Sequence, residues 1–228
     1  GTATSSQNPL EIINAHKAFG YGLTGSGKTI AILDSGYSSS HNELDEKTIT
    51  QFGTQTAATA SSLTKHHGLF VSSIAAGEDD GRGMQGVAPA ANLHWSSFDQ
   101  SNGNTYIPIH WANATDDAAN TSAVVQNNSW GATNEIVATI NQYKNNNSTT
   151  YANTLAVYFS ASGLTSNEAS INTYVDALNN FQDKGVVIFS LSNDSSLTDA
   201  DGHAALPVFF SQLEEAWITA VNIEITGS

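Results

Sequence analysis

The sequence predicts an α/β domain in which helices cover both faces of a mostly parallel central sheet. Short apolar, β-branched runs such as residues 29–33 alternate with longer amphipathic stretches such as residues 168–184. Continuous apolar runs are typical of strands buried on both faces, and their alternation with helices indicates a parallel sheet. Hydrophobic residues make up 39% of the 228 residues, and nothing along the chain resembles a linker. We therefore expect a single domain over residues 1–228.

The first half of the chain supplies a helix, a strand and a second helix. Asn8 and Pro9 are a helix cap and a first-turn proline, and predict a helix to about residue 19. The run 29–33 predicts the first strand, buried on both faces. Residues 67–76 predict a helix whose small residues pack tightly on the sheet.

The second half repeats the strand pattern around one long helix. Strands are predicted at residues 123–125, 185–189 and 217–221. The helix is predicted from residue 168 to about 184, with Gly185 as its stop. One face of this helix is apolar and carries Ile171, Val175, Leu178 and Phe181.

The charge of the chain excludes several classes of partner. Seven Lys and Arg stand against 21 Asp and Glu, a formal net charge of −14. Nucleic acids and anionic membranes attract positive charge, so neither is an expected partner. With no cysteine, the chain has no disulfide, no thiolate metal site and no cysteine nucleophile. The lack of cysteine does not exclude export from the cell.

No segment of the chain predicts membrane insertion. No apolar run approaches the roughly 18 residues that a membrane-spanning helix needs. The chain opens at Gly1 with neither the basic nor the apolar segment of a targeting peptide. We expect that such a segment was removed or lay upstream, and that this domain does not enter a membrane.

Residues 22–29 match the phosphate-binding P-loop pattern, but their surroundings do not. A P-loop needs a strand before the glycines and a helix after them, because the helix N-terminus and backbone N–H groups hold the phosphates. Here the predicted helix comes before the glycines and the predicted strand 29–33 follows directly. The nucleotide-binding interpretation is therefore the weakest of those we consider.

Three polar residues stand where catalytic groups are expected in an α/β fold. Asp34 follows the first strand, and the carboxyl ends of parallel strands are where such sheets place their ligands. His67 lies 33 positions later, in the first turn of the predicted helix. Asn193 follows the strand 185–189, where a side-chain amide can donate to a developing oxyanion. Each residue alone has a structural explanation, and Asn193 followed by Asp194 also favours a turn.

Taken in order, these residues resemble the subtilisin-like serine proteases, or subtilases. Residues 32–36 (Ile-Leu-Asp-Ser-Gly) match the aspartate motif of the family, and residues 41–44 stand where its His-Pro-Asp/Glu-Leu lies. Residues 67–71 match its histidine motif, with Leu69 and Phe70 replacing the usual Thr and His. The implied fold is the subtilisin-like α/β fold.

Three further segments extend the resemblance over almost the whole chain. Residues 81–89 fit the glycine-rich turn with its Gly-Val-Ala-Pro signature, residues 128–131 (Asn-Ser-Trp-Gly) match the substrate-binding strand, and Asn193 falls at the oxyanion asparagine. The false P-loop matches the approach to the first catalytic strand of the family. The sequences of residues 83–88 and 205–221 most resemble those of autotransporter-type bacterial subtilases. This resemblance implies an extracellular or cell-surface location.

The resemblance implies serine endopeptidase chemistry with assigned roles. Asp34 orients His67, His67 exchanges the proton of the nucleophilic serine, and Asn193 stabilises the oxyanion. An extended peptide substrate would pair with the backbone of Ser129, Trp130 and Gly131. The primary specificity pocket would be lined by Ser190, Leu191 and Ser192. Ser192 departs from the family, which has glycine before the asparagine.

No cofactor is expected for catalysis, and a structural calcium ion is the one metal that the resemblance raises. In the family it often lies near the glycine-rich loop, and Glu43 and Asp80 stand where side-chain ligands are expected. Acidic loops are common in so acidic a chain, so this pair alone is weak support for a metal.

The nucleophile of the family, in a Gly-Thr-Ser-Met-Ala motif, has no match in these residues. The only methionine is Met84, in the glycine-rich turn, and Ser228 has no helix after it. We expect the serine to lie outside the chain, on a second fragment of the same protein or on a segment lost by truncation. The alternative is a catalytically inactive, peptide-binding relative or an inactive fragment.

Overall fold

The described structure is a six-stranded, wholly parallel sheet. The computed structural model describes residues 8–59, 63–98, 108–131, 168–191 and 203–221. Within these ranges the strands lie in the order β2-β3-β1-β4-β5-β6, and each neighbouring pair is parallel. Their bounds are Thr29–Asp34 (β1), Ile49–Phe52 (β2), Asn92–Ser97 (β3), Ala123–Asn128 (β4), Val186–Ser190 (β5) and Trp217–Ala220 (β6). The predicted α/β fold with a parallel sheet is confirmed.

Helices lie on both faces of this sheet. The described α-helices are Pro9–Ile12 (α1), Ala15–Gly20 (α2), His67–Ala76 (α3), Pro108–Asn120 (α4), Glu168–Gln182 (α5) and Leu206–Phe209 (α6). Ala31 and Leu33 of β1 belong to the larger core, which α4 and α5 complete. Ile30 and Ile32 point the other way and pack with α3 in the smaller core.

Several elements differ from the sequence prediction in their extent, among them β4, which continues to Asn128. The first predicted helix is interrupted between α1 and α2, because Asn14 takes a left-handed conformation with φ 59°. Asn8 does cap α1, accepting from the Leu10 amide at 3.0 Å. α5 ends close to the predicted stop, where the Gly185 amide donates to the carbonyl of Phe181 at 3.0 Å. β2, β3 and α4 were not predicted.

The P-loop lookalike has the structure that its surroundings predict. α2 ends at Gly20 and β1 begins at Thr29, so a strand directly follows the glycines. Among the described helices, none begins at this turn with its N-terminus directed at the glycines, as phosphate binding requires. None of the described helices combines the length and the apolar character needed to cross a membrane.

The face of the sheet that carries α3 is only partly covered by the described residues. Beside α3 an open cleft of about 330 Å³ exposes the apolar side chains of β4 and β5. We call it the α3-side cleft; its lining includes Ile30, Val71, Ile74, Val125 and Ile188. Ile218 of the edge strand β6 lies beside Ile188 and is 49% exposed.

Candidate active site

Asp34 and His67 meet at the carboxyl edge of the sheet. Asp34 is the last residue of β1, and His67 is the first residue of α3. Nδ1 of His67 lies 2.9 and 3.0 Å from the two carboxylate oxygens of Asp34. The carboxylate side chain is 1% exposed and the imidazole 37%, so the histidine keeps an accessible edge. A buried carboxylate thus orients a histidine that solvent or a substrate can reach.

The electrostatics of the pair favour a basic imidazole. The hydrogen bond from His67 to Asp34 raises the pKa of His67, partial burial opposes this, and the negative charge of Asp34 adds to it. With Nδ1–H bound to the carboxylate, the other ring nitrogen, Nε2, is the atom left to accept a proton. The arrangement has the chemistry of a general base held by an acidic partner.

Backbone contacts bring the two elements together. The first amides of α3 lack helical partners, and here the turn after β1 accepts them. The Gly68 amide donates to the Ser35 carbonyl at 2.6 Å, and the Leu69 amide to the Gly36 carbonyl at 2.9 Å. The Ser35 amide also donates to Oδ1 of Asp34 at 2.7 Å. The turn that carries the aspartate is therefore bound directly to the helix that carries the histidine.

Two glycines permit this close approach. Gly36 has φ +82°, and a Cβ there would lie 2.5 Å from the carbonyl oxygen of Lys65. A Cβ on Gly68 would lie 2.7 Å from the ring of Tyr37. Real Cβ atoms do not approach other heavy atoms so closely, so side chains at these positions would separate the turn from the helix.

The predicted substrate strand follows β4 at the same edge. The register places Ile32 beside Asn127, so Ser129 lies level with Asp34. The Ser129 hydroxyl accepts from Nδ2 of Asn127 at 2.8 Å, and Gly131 is exposed. The indole of Trp130 is buried and donates from Nε1 to the Leu33 carbonyl at 2.8 Å. The ring of Trp130 is thus part of the larger core and is not available to a peptide at the surface.

The predicted specificity residues are described only in part. Ser190 ends β5, and the Leu191 amide donates to the Ala220 carbonyl of β6 at 2.8 Å. Both residues are half-buried. Ser192 and Asn193 lie outside the described residues. The strand register nevertheless places Ser190 beside Ser129, on the edge that also carries Asp34.

A buried histidine beside this edge has no counterpart in the sequence prediction. His203 is 7% exposed, and its ring centroid lies 4.9 Å from that of Trp130 and 5.6 Å from that of Trp111. Burial lowers the pKa of His203 to about 4, so the ring is neutral at pH 7. We call His203, Trp111, Trp130 and Phe189 the aromatic cluster. No local sequence signal identifies it, because its members come from four separate segments.

The carboxylates that the resemblance associates with calcium already have partners within the protein. Asp80 accepts from the backbone amide of Arg82 at 2.8 Å and from its Nε at 2.7 Å. Oε2 of Glu43 accepts from the Met84 amide at 3.0 Å. Calcium takes six to eight oxygen ligands. Among the residues that the structure describes, no three acidic, histidine or cysteine side chains group as metal ligands. As placed, these residues do not fit a calcium ion.

Comparison with known proteins agrees with this geometry. The model of the subtilase family matches residues 25–225. Among solved structures, a mutant of the protease domain of PatA superposes with a TM-score of 0.58 at 17% identity, over 86% of this chain and 58% of that one. Fervidolysin from Fervidobacterium pennivorans, a keratinolytic enzyme related to subtilisin, gives 0.57 at 21% identity, over 86% of this chain and 26% of that one.

A third structure gives the same fold at greater distance. The prenylagaramide maturation protease PagA superposes with a TM-score of 0.51 at 14% identity, over 79% of this chain and 51% of that one. The chain thus spans between about a quarter and three fifths of the length of these neighbours. No curated protein matches the chain by sequence. At these identities the superpositions show a shared fold.

Proposed function

Since the chain belongs to the subtilase family, we propose that residues 1–228 form the greater part of the catalytic domain of a serine endopeptidase. The observation that carries this proposal is the contact of His67 with the buried carboxylate of Asp34 at 2.9 Å. A histidine held by a buried carboxylate in this way can act as the general base that removes the proton from a hydroxyl nucleophile. The substrates are polypeptides, and catalysis requires no cofactor.

The contact of His67 with Asp34 supports the following roles, which the family resemblance extends to Asn193. His67 removes the proton from the nucleophilic serine as it attacks the peptide carbonyl, and returns a proton to the leaving amine. Asp34 holds Nδ1–H of the imidazole, which keeps Nε2 available and stabilises the imidazolium. Asn193 donates to the oxyanion of the tetrahedral intermediate, an interaction worth about 10²–10³ in kcat in subtilisin itself, the reference case.

Substrate binding uses the neighbouring strand ends. The backbone of Ser129, Trp130 and Gly131 pairs with an extended peptide, a mode that tolerates many sequences. Ser190, Leu191 and Ser192 line the pocket for the residue before the cut. The alignment of Ser129 with Ser190 at one edge supports this assignment.

The nucleophilic serine is supplied by a second fragment of the same protein. No Gly-Thr-Ser-Met-Ala occurs in the 228 residues. The α3-side cleft supports an additional segment on this face, because Ile188 and Ile218 present apolar surface that the described residues leave open. We place the mature protein outside the cell or on a bacterial surface, as in the autotransporter-type subtilases that the sequence resembles.

A serine-reactive fluorophosphonate label tests this proposal. The label is applied to the native assembly that contains this chain, here called the particle, and is then located by peptide mapping. We expect the label on a Gly-Thr-Ser-Met-Ala peptide outside these 228 residues, and we expect His67→Ala to abolish it. His66→Ala is the matched control, since His66 is the adjacent half-buried histidine and contacts Thr59 rather than Asp34. A particle that binds peptides but takes no label would instead be an inactive peptide-binding relative.

A further inference from the structure

Tyr37 lies three residues after Asp34, in the segment that follows β1. It is 4% exposed, and its hydroxyl oxygen lies 2.8 Å from the carbonyl oxygen of Ile32 and 3.0 Å from that of Ser96. One hydroxyl proton serves both acceptors. These carbonyls lie near the carboxyl ends of β1 and β3, so the phenol fixes the two strand ends relative to each other.

The ring of Tyr37 is also linked to the first turn of α3. It stacks on Trp95 of β3 with centroids 4.7 Å apart. Nε1 of Trp95 donates to the Ser72 hydroxyl at 3.0 Å, and that hydroxyl donates to the Gly68 carbonyl at 2.6 Å. A continuous series of contacts therefore runs from the phenol to the residue beside His67.

Gly68 rests on the edge of the same ring. A Cβ at Gly68 would lie 2.7 Å from Cε1 of Tyr37 and 3.0 Å from Cζ, so the glycine backbone is in close contact with the phenol. The backbone of Tyr37 is fixed as well, because its amide donates to the Thr56 carbonyl at 2.9 Å and its carbonyl accepts from the Ala58 amide at 2.8 Å. The ring is thus a rigid support for the start of α3.

We infer that Tyr37 is a positioning residue that sets the distance between His67 and Asp34. Through Ile32 its hydroxyl fixes the end of the strand that carries Asp34, and through Gly68 its ring fixes the start of the helix that carries His67. Tyr37 lies outside the residues that the sequence predicts for the site. The inference rests on the proposed function, since it assigns Tyr37 to the same catalytic pair.

The test compares Tyr37→Phe with Tyr174→Phe. Tyr174 is also a buried tyrosine, but it lies on α5 against the opposite face of the sheet. Histidine NMR on the folded particle reports the pKa of the His67 ring, and thermal melting reports stability. We expect Tyr37→Phe to lower the pKa of His67 towards its ordinary value, because the hydrogen bond to Asp34 lengthens, whereas Tyr174→Phe leaves it unchanged.

A second test measures kcat and KM for peptide hydrolysis by the particle that contains the nucleophilic serine. We expect Tyr37→Phe to lower kcat by about tenfold with KM nearly unchanged, since misplacement of a base affects the chemical step. If Tyr37→Phe does not fold, Ser72→Ala breaks the link to Gly68 and should lower the pKa of His67 in the same direction.

Each result bears on one proposal or the other. An unchanged pKa of His67 in Tyr37→Phe, whatever the melting temperature, would overturn the positioning role. So would an equal fall in Tyr174→Phe, because that would indicate general loosening of the fold. If the particle hydrolyses no peptide, the proposed function fails, while the NMR comparison still decides whether Tyr37 positions His67.

Discussion

At the scale of the residue, Asp34 and His67 differ in exposure as their chemistry requires. The carboxylate is 1% exposed and cannot exchange its partner for water, whereas the imidazole is 37% exposed. In so dry a position the hydrogen bond is stronger than on the surface. The carboxylate of Asp34 is therefore held rigidly, whereas the imidazole of His67 is accessible to solvent.

Replacing Asp34 with Asn should lower activity and move its pH dependence. The folded-state pKa of His67 is raised by its hydrogen bond to Asp34, and the unprotonated ring is the active base. In Asp34→Asn this effect is lost, so the acid limb of kcat/KM should move to lower pH while kcat falls by about 10⁴-fold. Rate measurements between pH 5 and 9 check both effects. An unmoved acid limb would contradict the assignment of His67 as the base.

His203 should make the fold sensitive to acid. Its pKa is about 4 in the folded state, lowered by burial from 6.5, so the unfolded chain takes up its proton first as pH falls. Stability is therefore full above pH 6.5 and declines towards pH 4, by about 3 kcal/mol at the relation of 1.36 kcal/mol per pKa unit. We expect the free energy of unfolding, measured with urea, to change less between pH 7 and pH 4.5 in His203→Phe than in the parent.

His16 provides the control for that comparison. It is exposed on α2, so His16→Phe removes a histidine without touching the aromatic cluster, and its pH dependence of unfolding is the reference for His203→Phe. Equal pH dependence in the parent and in His203→Phe would show that groups other than His203 cause the acid sensitivity.

The sequence could predict the pairing of Asp34 with His67 but not its surroundings. Asp34 and His67 lie within motifs that are local in sequence, so their meeting follows from the fold. The burial of Trp130 and the presence of His203 beside it depend on packing between distant segments. Such packing cannot be predicted from any one local segment of the sequence. Tyr37 was missed for the same reason, since its acceptor Ser96 lies in another strand.

At the scale of the element, prediction failed where buried positions are polar or small. β3 reads Asn-Leu-His-Trp-Ser-Ser, and five of its six residues are buried. Hydrogen bonds compensate for that burial, as between His94 and Thr50 at 2.9 Å. The buried side of α4 consists largely of alanines with Trp111, a pattern too weak to indicate a helix. By contrast, β1, β5 and α5 are mostly apolar where they are buried, apart from Asp34 and Gln182 at their ends, and they were predicted.

Replacing Gly68 with Ala should weaken the attachment of α3 to the sheet. The new methyl group would lie 2.7 Å from the ring of Tyr37 and 2.9 Å from the Ser35 carbonyl oxygen. The helix must move, and we expect the free energy of unfolding to fall by about 1–3 kcal/mol, the usual cost of overpacking. Urea unfolding measures this.

Gly20→Ala is the matched control. Gly20 ends α2, and a Cβ there would meet nothing within 4 Å. We expect no loss of stability, since alanine is the better helix former. A similar loss in both variants would mean that the contact of Gly68 with Tyr37 does not cause the effect.

At the scale of the whole molecule, the α3-side cleft should hold the second fragment. Ile188 lines it, so Ile188→Lys would place a charge on the apolar surface, and we expect the second polypeptide to dissociate in native mass spectrometry. Val208→Lys is the control, because Val208 is 63% exposed on α6, next to residues of the larger core. Retention of the second polypeptide by Ile188→Lys would place its binding surface elsewhere.

The central position of β1 also decides when the site can exist during synthesis. β1 is the first of the six described strands to leave the ribosome, yet its neighbours are β3 and β4, so that Thr29 must wait for Asn92 and Ala123. Pairings between such distant segments form slowly. The carboxyl end of β1, which carries Asp34, is therefore not fixed in the sheet until Asn92 and Ala123 have been made. If the proposed function holds, a catalytic base that forms in this order cannot act on the nascent chain while the first half of the 228 residues is being made.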